Sequence, residues 1–324
     1  MSRFTPSFFF AMKLWALFTI ASALTAHGAD IEWVSVGDAG NKPDKTGYGA
    51  VAYVYQIGKT EATVEAYAEF LNAVAAKDDP HQLWNQAMED SGPRKAQTEV
   101  MRRAGEKGAY HYKALQGCEQ MPVTFVSVID AMRFVNWMHH GKGSGDTETG
   151  AYEMIRAIGL EPHTKEARVW IATEDEWYKA AYFQPESKGG PRGGFWQFPT
   201  GRNEAPSLRG KNLDQLNTAS FLDVSRYGVD TNHSPLEEVG RHPLSASHYG
   251  TLGQGGGVWE WCEGLAFTTK RVMRGGSVRY QVDAMRSGMR ASSVPGKKYY
   301  DVGFRLARLP SGPEATGGAP KGSK

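Results

Sequence analysis

Residues 29–309 read as one α+β domain, rich in loops and low in regular secondary structure. Three observations predict this class. Nine Trp and 14 Tyr are set among 38 Gly, which favours large buried rings holding irregular backbone over a helix bundle. The helical patterns are short and lie between short strand patterns. No internal repeat divides the chain. Its 324 residues, 40% of them apolar and 22% charged, are enough for a sizeable core of ordinary soluble composition.

The elements follow in order. Residues 31–36 form a strand pattern, and 37–49 are turn-rich. Residues 50–57 alternate and carry aromatics, which again predicts a strand. Thr63 is placed to cap a helix running to about Ala76, with Val64, Tyr67, Ala68, Leu71 and Ala75 on one face. Residues 77–122 are polar and irregular and are expected to wrap the surface. Ser127-Val128-Ile129-Asp130 has capping-box spacing, with Asp where Glu is usual. The helix it opens turns Ala131, Phe134, Val135 and Met138 inward, and glycines between 141 and 150 end it. Thr173-Glu174-Asp175-Glu176 is a full capping box for a third helix through Trp177, Ala180 and Ala181, which stops before Pro185. Long loops are expected from 189 to 257, then strands at 257–261, 271–274 and 302–306. The tail 310–324 is rich in Pro, Gly and Lys and reads as disordered.

The N-terminus reads as a secretory signal over residues 1–28. Lys13 precedes the apolar run Leu14 to Ala21, and Ala26-His27-Gly28 fits cleavage after Gly28, with Ala21-Ser22-Ala23 as a second candidate. Met12-Lys13 would itself serve as a signal start, so Met1 and Met12 are both candidate start codons. The run is short for a membrane span, so no span is expected after cleavage. An exported protein, periplasmic or secreted, follows. Cleavage removes Arg3 and Lys13 and no acid, leaving 35 basic and 35 acidic residues. A neutral body argues against phosphate-driven binding of nucleic acid. Cys118 and Cys262 are the only cysteines. In an exported chain they form either a disulfide, whose long loop would contribute about 5 kcal/mol, or two buried free thiols. The sequence leaves both open.

Four segments carry a family resemblance. They are Thr46-Gly47-Tyr48-Gly49-Ala50-Val51; Met121-Pro122-Val123 leading to Ser127; Ala172-Thr173-Glu174-Asp175-Glu176-Trp177-Tyr178; and Gly256-Gly257-Val258-Trp259-Glu260-Trp261. Arg274-Gly275-Gly276-Ser277 and Val302-Gly303-Phe304-Arg305 follow the last of these. In this order they resemble the formylglycine-generating, sulfatase-modifying-factor family over residues 31–308. The resemblance implies a C-type-lectin-like fold. Read as scaffold, Trp259 and Trp261 face the core, while Arg274 and Arg305 make buried hydrogen bonds that fix loops.

Active members oxidise a substrate cysteine with copper and oxygen, using two thiolates that follow the RGGS motif. Those positions fall here at Tyr280 and Met285. Neither side chain replaces a thiolate as a Cu(I) ligand, so copper is not expected. The resemblance also implies calcium, held by the carbonyls of Gly256 and Val258 and the carboxylate of Glu260, with a second site at Asn217. Gly253 stands where relatives have Asp, and Gly257 where they have Asn.

Other chemistries find no support. No H-E-x-x-H, G-x-S-x-G or Walker pattern occurs. His139-His140 sits where a helix ends, a place that suits a positive ring. The expectation is therefore an exported, non-catalytic binding domain for a protein, peptide or glycan, including a sulfatase, with recognition loops at 77–120 and 185–250. The alternative is a formylglycine-generating or other redox oxidase using non-standard thiols or another metal.

Overall fold

The computed structural model describes residues 30–89, 99–143, 145–156, 158–208, 216–222 and 236–311. The expected signal segment, and the tail beyond residue 311, lie outside them. Two four-stranded sheets organise the fold. The first has the order β1 (Trp33–Val36), β2 (Tyr55–Gly58), β12 (Leu306–Arg308), β5 (Trp170–Ile171). All its pairings are antiparallel. The second runs β10 (Ala291–Ser293), β9 (Lys270–Arg274), β8 (Trp259–Ala266), β11 (Val302–Phe304). Its β11 lies parallel to β8, with Gly303 opposite Glu260.

The predicted strand at 302–306 is two strands in two sheets, and Arg305 is the residue between them. One short stretch therefore ties both sheets together. The strand expected over 50–57 starts only at Tyr55, because Val51 to Val54 carry no ladder of hydrogen bonds.

Three α-helices pack on this frame, each capped as the sequence predicts. In α1 (Val64–Val74) the Thr63 side chain accepts from the Ala66 amide. Complete capping boxes open α2 (Val128–His139) from Ser127 and Asp130, and α3 (Glu174–Tyr182) from Thr173 and Glu176. Such caps satisfy amides that have no partner inside the helix. Phe134 of α2 is a hub. Its ring centroid lies 5.4 Å from those of Phe70, Trp137 and Phe304 and 6.1 Å from that of Tyr67. Trp137 is buried as well, and Met138, expected inward, is only partly so. The helix is covered over a wider arc than a single stripe describes.

The described parts of the stretch 77–122, residues 77–89 and 99–122, are more ordered than expected. A hairpin of β3 (Met101–Ala104) and β4 (His111–Ala114) runs through them, burying Met101, Tyr112 and Ala114 and exposing Arg102 and Lys113. Two two-residue strands, β6 (Ser207–Leu208) and β7 (Thr218–Ala219), pair in parallel. Among the described residues no helix is long and apolar enough to cross a membrane.

Candidate functional site

The joint between the sheets is built on Arg305, which is fully buried. Its Nε and Nη2 donate to the two oxygens of Glu260, each at 2.9 Å. Nη1 donates to the Gly58 carbonyl at 2.9 Å, and Nη2 also donates to Leu252 O at 2.8 Å. Trp177 Nε1 adds a third hydrogen bond to Glu260, at 2.9 Å. The expected loop-fixing role of Arg305 is therefore met in full. Glu260 presents a carboxylate engaged by a bidentate guanidinium and an indole. Arg274 does similar work, donating to Ser287 O at 3.0 Å and Met289 O at 2.7 Å while pairing with Glu174.

A second carboxylate shares this joint. Glu61, between β2 and the cap of α1, is 4% exposed. Its Oε2 accepts no hydrogen bond. Arg305 Nη2 lies 3.5 Å away, but both of its N–H groups are already spent on Leu252 and Glu260. Three buried ionisable groups thus carry two potential negative charges and one positive. Burial pushes the Glu61 carboxyl up, Arg305 pulls it down and Glu260 pushes it up again, leaving it at about 7.

Gly253 takes its meaning from Glu61. A Cβ at Gly253 would stand 2.5 Å from Glu61 Oε1 and 2.6 Å from Oε2, and one at Gly257 3.9 Å from Oε1. Both glycines have positive φ, +75° and +64°. The carboxylate of Glu61 fills the space that a side chain at 253 would claim. The sequence reading missed Glu61, since nothing in Thr60-Glu61-Ala62 sets it apart from a surface acid.

The loop from Gly253 to Gly257 and Glu61 form one wall of a small cleft whose mouth holds Ser220, Glu237 and His242. His242 Nε2 lies 3.1 Å from both Ser220 Oγ and Glu237 Oε2, while Nδ1 is 2.9 Å from Thr218 Oγ1. Ser220 also hydrogen-bonds Glu237. Burial raises the Glu237 carboxyl, but the bonds from His242 and Ser220 outweigh it and hold it below the usual range. The acid and the serine share the same ring nitrogen. This is not a relay in which the acid orients the base from the far side.

The other predicted positions do not join this cleft. Asn217 Oδ1 accepts from Thr200 Oγ1 at 2.6 Å, and its amide reaches the carbonyls of Glu204 and Ala205 at 3.3 Å. It fastens a loop. Of the expected calcium ligands Gly256, Val258, Glu260 and Asn217, the side chains of Glu260 and Asn217 both hydrogen-bond to protein partners. No group of three or more His, Cys, Asp or Glu suited to a metal gathers among the described residues. Among the described residues, Glu61 is the buried carboxylate with an oxygen that accepts no hydrogen bond.

Tyr280 is 46% exposed, its ring edge-on to Trp259 at 5.4 Å. Met285 is 1% exposed and packs with Phe198, Ala219 and Phe221. A Cβ on Gly255 would lie 3.2 Å from its sulfur. The space around the Met285 sulfur is filled. Of the two readings left open for the cysteines, the structure has Cys118 and Cys262 as free thiols. Cys262 lies inside β8, opposite Val272, whereas Cys118 sits in the turn after β4 with Sγ 3.8 Å from Glu99 O. Burial pushes the Cys262 thiol well above its usual range and raises that of Cys118.

The family model of the sulfatase-modifying factor enzyme 1-like domain matches residues 40–310. The chain belongs to this family. Among solved structures, Treponema denticola variable protein 1 is similar at 19% identity and TM-score 0.51, over 86% of this chain and 95% of that one. CarF is similar at 16% identity and TM-score 0.51, over 87% and 100%. PvdO from Pseudomonas aeruginosa gives 15% identity and TM-score 0.44, over 86% and 92%. The first two share the fold. No curated protein matches the chain. The sulfatase-modifying-factor domain accounts for the loop-rich α+β architecture, with Trp259, Glu260, Trp261 and Arg305 at its joint.

Proposed function

We propose that this chain is an exported, non-catalytic sulfatase-modifying-factor domain that recognises a protein, peptide or glycan through its surface loops. The observation that carries the reading is Met285. At the position where the resemblance places a family thiolate stands a thioether buried against Phe198 and Phe221, and where it places the partner thiolate stands the phenol of Tyr280. Copper(I) chemistry needs two close soft ligands. The two thiols the chain does possess lie on separate elements, and burial keeps both in the protonated form at neutral pH. That weighs against the oxidase alternative.

Calcium enters this reading as a structural ion. Glu61 supports it: a hard cation suits a buried carboxylate with an unused oxygen beside a glycine loop, and the carbonyls of Gly256 and Val258 belong to the same segment. When bound, the ion would neutralise the surplus charge of Glu61. Export and a sulfatase partner complete the proposal.

The test is direct. Purified protein is incubated with copper, oxygen and a sulfatase-type cysteine peptide, and the peptide is followed by mass spectrometry. An unchanged peptide is expected. Conversion of its cysteine to formylglycine would sink the reading.

A further inference from the structure

We propose that a cleft walled by Asp78, Gln82, Trp84, Gln86, Arg103 and Tyr110 binds an uncharged saccharide. This rests on the binding-domain reading above and names the ligand class. The cleft shares no residue with the loop from Gly253 to Gly257.

Its floor is a fixed stack. The guanidinium carbon of Arg103, from β3, lies 3.9 Å from the Trp84 ring centroid and 4.5 Å from that of Tyr110. Held against two rings, the guanidinium loses most of its freedom and presents its N–H edge in a set plane. The backbone below is equally set. Asp79 accepts from the amides of Leu83 at 2.8 Å and Trp84 at 2.9 Å, and Lys298 Nζ donates to Gln82 O at 2.6 Å. Gln82 itself is held at φ +53°, where residues other than glycine are uncommon. Such a cleft is formed before a ligand arrives, which lowers the ordering cost of binding.

The chemistry of the rim selects the ligand. Planar donors and acceptors stand side by side: the Arg103 fork, the exposed amides of Gln82 and Gln86, and the carboxylate of Asp78. Vicinal hydroxyls, each able to donate and accept at once, match such a set. Trp84 and Tyr110, both partly buried, add apolar surface beside these polar groups. Charge argues against an ionic ligand. Asp78 has Lys107 at 3.3 Å, and Asp79 stands near Arg103, so neither sign dominates.

The test uses the full chain on an array of neutral oligosaccharides, followed by calorimetry with the best binder. Variants Arg103→Lys and Gln86→Ala are measured beside it, with thermal unfolding as the folding control. Lys keeps the charge but loses the fork and the stack. Binding of a neutral glycan, weakened about tenfold or more by each variant, is expected. Should Arg103→Lys fail to fold, the exposed Gln82→Ala takes its place. Absence of any neutral glycan binder overturns the proposal, as does binding that both variants leave unchanged. A peptide library that binds where no glycan does also ends it, while the wider binding reading survives. Formylglycine formation would remove that wider reading by a separate assay, so the two failures are distinguishable.

Discussion

Glu61→Gln isolates the surplus charge at the joint of the two sheets. In the folded chain the carboxyl titrates at about 7, against an ordinary 4.5. The folded state therefore holds this proton more tightly than the unfolded state. Below the ordinary value both states are protonated and Glu61 costs nothing. Between that value and about 7, stability falls as pH rises, and above it the full cost stands. The interval corresponds to about 3 kcal/mol, and since Glu61 is 4% exposed no large discount for solvent applies. Gln keeps the shape and removes the titration. Urea unfolding at pH 5 and pH 8, in chelator, should show a decline in the wild type that is largely absent in the variant. Added calcium should recover stability at pH 8 in the wild type alone. Parallel pH dependence in the two proteins would refute the reasoning, since the charge would then be solvated or paired in both states.

Two further outcomes follow from the same joint. Gly253→Ala should cost about 2 kcal/mol, part from its positive φ and part from the carboxylate a Cβ would meet at 2.5 Å. In a Glu61→Ala background the second part vanishes, so a double-mutant cycle by chemical denaturation should give about 1 kcal/mol of coupling; equal costs in both backgrounds would contradict it. Arg305→Leu strands Glu260 and two backbone carbonyls and should cost about 4 kcal/mol or more, read as insoluble or unfolded protein. A loss below about 1 kcal/mol would mean that water replaces the guanidinium.

Local signals proved the most legible part of the sequence. Thr63, Ser127 and Thr173 open helices because a side-chain oxygen three residues before an amide is enough to start one. The ordered motifs from Thr46 to Arg305 likewise marked the family. Long-range partnerships were less visible. Met101, Tyr112 and Ala114 alternate with polar neighbours, a period-two signal that could have revealed the hairpin inside 77–122. Glu61 carried no such mark, for its burial depends on Gly253, Glu260 and Arg305, all more than 190 positions away. The role of Gly253 was equally hidden. Read as a lost ligand in the sequence, Gly253 makes room for that carboxylate in the fold.

The splitting of the last strand pattern at Arg305 has a consequence for how the molecule comes into being. β12 pairs with β2 and β5, and β11 pairs with β8, so neither sheet is complete until residues 302–308 are present. Loops that join such distant segments close slowly, and a chain emerging from its N-terminus would wait for its final strand before either sheet could set. Completion of both sheets then falls late and together, at residues 302–308. A polypeptide with that property stays unfolded, and so threadable through a narrow pore, until nearly all of it has been made.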